Sequence, residues 1–109
     1  MSKANFWQRG EALDYPNKTA ATIEANTVVV IGKRIGVIGT DIAPGALGTV
    51  HVSSVFEMNK AAEAVTFGDT LYWDTKNACL TTTAGDIVAG YATSDAAAGD
   101  STVRVKLLG

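Results

Sequence analysis

The stretch Thr27-Val28-Val29-Val30-Ile31-Gly32-Lys33-Arg34-Ile35-Gly36-Val37-Ile38 decides the fold class of this chain. Residues 27–31 are all β-branched and stop at a glycine. Branching at Cβ restricts the side chain in a helix and suits a pleated surface. The run is too short for a stable helix and has the length of a buried strand. Gly32-Lys33 reads as a tight turn, and Arg34 to Ile42 as the returning strand of a hairpin. Gly36 and Gly39 inside that strand mark a bulge or the close approach of another backbone.

The same grammar continues outward. Ala43-Pro44-Gly45 breaks the chain, and Leu47 to Phe56 follows as a strand. Its Val50-His51-Val52 alternation sends the valines to one face and His51 to the other. Thr70 to Asp74, Ala78 to Thr82, Ile87 to Ser94 and Ser101 to Leu108 read as further strands. The turns between them are Thr75-Lys76-Asn77, Ala84-Gly85-Asp86 and Ala96-Ala97-Ala98-Gly99-Asp100. Helical patterning is confined to Asn59–Val65, a turn or two at most. Short strands at this spacing, punctuated by glycine, predict an all-β fold: a small single-domain β-barrel or sandwich with at most one short helix.

Gly36, Asp41 and Gly45 recur 54 positions later as Gly90, Asp95 and Gly99. Thr49-Val50-His51-Val52 recurs as Thr102-Val103-Arg104-Val105, with one residue deleted between. The recurrence reads either as two related β units closing one barrel or as chance in a Gly-, Thr- and Val-rich chain. One domain follows in both cases, because neither half buries a core alone.

The whole chain has 109 residues, 47% of them hydrophobic and 18% charged, which excludes a disordered chain. A domain of this length buries roughly 65% of its unfolded surface, enough for one modest core and no second. Net charge is −2 and the nine basic residues are spread along the chain, so no nucleic-acid footprint is expected. No run of 18 apolar residues is present, so no membrane span is expected. The start, Met1-Ser2-Lys3-Ala4-Asn5-Phe6-Trp7, lacks the apolar region of a secretory signal, which predicts a cytoplasmic protein before any assembly. The lone Cys79 makes no internal disulfide and reads as a small apolar strand residue.

Chemistry is sparsely marked. His51 is the single histidine, and its alternating strand setting favours a surface or interface residue. The dipeptides Gly68-Asp69, Gly85-Asp86 and Gly99-Asp100 are turn chemistry, since aspartate bonds its own backbone there. Neither a dinucleotide-binding glycine pattern nor a phosphate-binding loop occurs, and nothing matches a calcium loop. No catalytic residue, cofactor or metal is therefore expected. Phe6, Trp7 and Tyr15 stand in a polar N-terminal stretch, as anchors for a partner protein or as caps on this domain's own barrel. Residues 1–17 are read as an extended N-terminal arm and 18–109 as the β-barrel domain.

Several phrases together resemble those of the capsid cement, or decoration, proteins of tailed bacteriophages and prophages. They are Gly36-Val37, then Gly48 to Ala61 with Val55-Phe56-Glu57 at its centre, and then Gly68-Asp69-Thr70-Leu71-Tyr72-Trp73-Asp74. Gly90-Tyr91-Ala92 and the ending from Gly99-Asp100 to Leu107 complete the set. The chain departs by carrying Ser54 where that family has a glycine before Val-Phe-Glu. Some members are labelled recombinase-like, against which the missing phosphate loop argues. The resemblance implies a non-enzymatic protein that binds the major capsid protein on the outside of an assembled head, bridges capsomers and forms a homo-oligomer, a trimer by preference. It implies a location on the virion's capsid surface after a stage in the host cytoplasm. Two alternatives stand beside it: a small β-barrel ligand carrier or enzyme using His51 and nearby carboxylates, and a β module of the phage tail or baseplate.

Overall fold

The computed structural model describes residues 2–108; Met1, the first residue of the expected arm, and Gly109, the last of the expected barrel domain, lie outside them. The strands are β1 (Ala12–Pro16), β2 (Val28–Ile31), β3 (Arg34–Ile38), β4 (Leu47–His51), β5 (Val55–Asn59), β6 (Thr70–Asp74), β7 (Cys79–Thr81), β8 (Val88–Ala92) and β9 (Thr102–Leu107). The fold is all-β, with no helix among the described residues. The Asn59–Val65 window is not helical because the sheet takes its backbone. Lys60 N–H donates to Ser101 O, and Val65 bridges Ala96.

The hairpin forms as its sequence dictates. Val28 to Ile31 pair with Val37 to Arg34, and Gly32 takes φ +61° at the first turn position, a conformation glycine adopts without strain. The run expected from Leu47 to Phe56 is two strands. It breaks at Val52–Ser54, where Ser54 adopts φ +86°, and β5 leaves to pair with β9.

All nine strands belong to one sheet. β3 is its hub, paired with β2, with β4 and, in parallel, with β8 at Arg34–Val88. β1 adds to the far edge of β4. β5, β9, β8, β6 and β7 curl into a ring whose ends meet at a single Lys60–Leu80 bridge, where Ala61 N–H donates to Leu80 O. The sheet stays open except at that point.

Two related units are visible in the hydrogen bonds. Val28↔Val37 and Val29↔Gly36 correspond to Thr70↔Tyr91 and Leu71↔Gly90. Asn26 N–H donates to Ile38 O as Gly68 N–H does to Ala92 O, and both donors have positive φ. The Ile23–Ile42 bridge matches Val65–Ala96. Asp41 accepts from Ala25 N–H and Asp95 from Phe67 N–H, both at 2.8 Å. β1-β2-β3-β4 thus repeats as β5-β6-β8-β9, with β7 inserted. The repeat also corrects the sequence alignment. Val50 and Val105, not Val50 and Val103, occupy equivalent places, because β9 sits two residues further along β8 than β4 does along β3. A slip of two keeps every side chain on its face.

The glycine common to both copies has a physical cause. A Cβ on Gly36 would meet the Val50 side chain and His51 O, and one on Gly90 would run into Lys106 O. In each unit the last strand crosses over the glycine of the third, β4 over Gly36 of β3 and β9 over Gly90 of β8.

The expectation of one core is corrected. Two clusters form because β3 is buried on both faces. Ile35 and Val37 face a larger cluster with Met58, Leu71, Leu80, Val103, Val105 and Leu107. Ile38, of opposite phase, faces a smaller one with Ile42, Val50 and Val52. The buried polar residues Asn17 and Lys60 occupy equivalent places after β1 and β5. Asn17 Nδ2 donates to Ala21 O and Ile42 O, and Lys60 Nζ to Ala61 O and Glu63 O. Each ties the following connector to its unit.

Candidate interaction surface

β1 divides the segment read as an arm. Ala12–Pro16 pair with β4 from Ala12↔His51 to Pro16↔Leu47, and Asn17 is buried. Residues 2–11 are exposed and outside every strand, tied at their end where Val52 N–H donates to Glu11 O. An exposed Arg9–Glu11 ion pair at 2.9 Å contributes little to order.

The three aromatics singled out from sequence are not brought together. Phe6 and Trp7 stand in the arm at 86% and 90% relative exposure. Tyr15 is half-buried on β1 and packs against the smaller cluster. Leu47, Val55, Phe67 and Leu108 are further exposed apolar side chains that the sequence reading did not single out. Alternation carried the signal for two of them. Leu47 is out of phase with the buried Val50, and Val55 is out of phase with the buried Met58.

The groups of possible chemical use stand apart. His51 is half-buried, with its ring 6.2 Å from that of Phe56. Cys79 is buried, and burial, then the charges of Asp74 and Glu63, push its thiol pKa up, away from a reactive thiolate. Asp69 accepts from Thr66 N–H and Asp100 from Ala97 N–H, so these carboxylates close turns. Among the described residues, no three His, Cys, Asp or Glu side chains are grouped to hold a metal ion. An open groove of about 470 Å³ lies between the start of β2 and β5, walled by Val28, Phe56 and Trp73 over Val37 and Met58.

The described residues thus present a two-unit β sheet, an aromatic arm outside every strand and scattered exposed apolar side chains. Residues 7–107 match the family model of the phage cement protein, and the chain belongs to that family. The family is one of phage structural proteins, and membership implies association with the phage capsid. No curated protein and no solved structure matches the chain.

Proposed function

We propose that this protein binds the outer surface of the assembled phage head as a homo-oligomer, a trimer by preference, and stabilises it by bridging neighbouring capsomers of the major capsid protein. Membership of the cement family over nearly the whole chain is the observation that carries the reading. The physical action is linkage. A subunit that contacts two capsomers only in the closed lattice binds the assembled state better than the dispersed one, and mass action then favours the shell. Many such contacts add along the lattice, so each can be modest.

Phe6 and Trp7 are the protein-contact residues in this reading, because a large exposed aromatic gains most from being covered. Tyr15 supports them from the sheet, as part of the β1 packing. Residues 2–9 belong to no strand, whereas loss of residues 1–17 would remove β1 and the buried Asn17. Locating the labelled chain on purified virions tests the assignment. Label on the head supports it, and label confined to the tail or baseplate transfers the protein to the other structural class.

A further inference from the structure

The two units differ in one respect. In the second, β7 lies along the outer edge of β6, with Leu80 opposite Trp73 and fully buried in the larger cluster. In the first, β2 stands where β6 stands, and among the described residues it pairs with β3 alone. Its outer edge carries Val28-Val29-Val30-Ile31. Such an unpaired apolar edge is a template for another strand. The smaller cluster beneath is also incomplete. Ile23, Val29, Ile31 and Tyr15 at its rim are only partly covered. On the opposite face, Val28 packs against the larger cluster and lines the groove with Phe56 and Trp73. The first unit therefore has an empty strand position where the second has β7.

We propose that the N-terminal arm of a second copy of this chain occupies that position as an added strand along β2. Neighbouring residues of a strand point to opposite faces. Phe6 and Trp7 are adjacent, so one covers the rim of the smaller cluster, as Leu80 does in the second unit, and the other enters the groove. Lys3 to Arg9, fully extended, spans roughly 23 Å, more than the length of β2. The donor is a neighbour because the arm leaves the sheet from β1, which β4 and β3 separate from β2, and stays exposed in the single chain. An arm-to-edge contact is heterologous and closes as a ring when the rotation permits. This specifies the oligomer of the proposed function but does not require the shell, so its failure in solution is separable from failure to bind heads.

Sedimentation velocity over a range of concentrations tests it on the full chain, a chain lacking residues 2–9 and Val30→Lys, with circular dichroism to confirm folding. The full chain is expected at a multiple of 11.3 kDa, and both variants at the mass of one chain. Val30 is partly exposed, and the truncation removes no strand, so at least one variant keeps its fold. A mixture of Trp7→Cys and Val30→Cys chains is expected to form a disulfide-linked pair under mild oxidation. The proposal is overturned if the full chain is monomeric throughout, if both folded variants keep its mass, or if the arm becomes protease-resistant only on heads.

Discussion

At Ser54 a serine holds φ +86°, a region that L side chains enter at a penalty of roughly 1–2 kcal/mol and glycine enters freely. Ser54→Gly is therefore expected to stabilise the fold by about 0.5–1 kcal/mol, after the extra freedom glycine gives the unfolded chain. Thermal unfolding checks this, and a lower midpoint contradicts it. Glu63 acts through charge. Its carboxylate accepts Thr82 N–H at 2.6 Å and the Thr81 hydroxyl at 2.8 Å, with Lys60 close by, and these hold its pKa below the ordinary 4.5. Asp74 is lowered too, by the Asn77 side chain, then by Asn77 and Lys76 N–H. A carboxylate that loses protons more easily when folded stabilises the fold above its unfolded pKa. That contribution disappears as pH falls through the lower folded value. Urea midpoints are expected to decline as pH drops below about 4.5, and less steeply in Glu63→Gln. An equal decline in both removes Glu63 from the account.

At the scale of elements, the repeated glycines predict unequal sensitivity. The atom facing Gly90 is the Lys106 carbonyl oxygen, which moves only with β9, whereas the first contact at Gly36 is a Val50 methyl that can turn aside. Gly90→Ala is expected to destabilise by about 3 kcal/mol or more and Gly36→Ala by about 1–2. Denaturant titration measures both, and equal losses would contradict the crossing geometry. These elements also mark how far the sequence could be read. The β2–β3 hairpin and the turns closed by Asp69 and Asp100 were legible because each is set by residues a few positions apart, and the closeness at Gly36 because a glycine inside a strand is itself the signal. The break at Val52–Ser54 was not, since it depends on β5 finding β9 at the end of the chain. Tyr15 carried the same polar surroundings as Phe6 and Trp7, and only the β1–β4 register separates it from them. The two-residue slip of β9 was hidden because alternating valines look alike in either register.

For the whole molecule, the proposed action is adhesion distributed over a body measuring 43 × 41 × 21 Å, arm included. Two apolar clusters share β3, while residues 2–10 lie exposed outside every strand, where a partner can cover them. A ligand of the assembled state at one hundred times its dissociation constant adds about 2.7 kcal/mol per site. Over a shell the effect is large, and adding the protein should raise resistance to heat. The most direct measurement compares DNA release on heating from phage heads stripped of this protein, with and without the purified chain restored. The account predicts that release moves to higher temperature and that the restored chain sediments with the heads. Unchanged release with the chain left in the supernatant would contradict it.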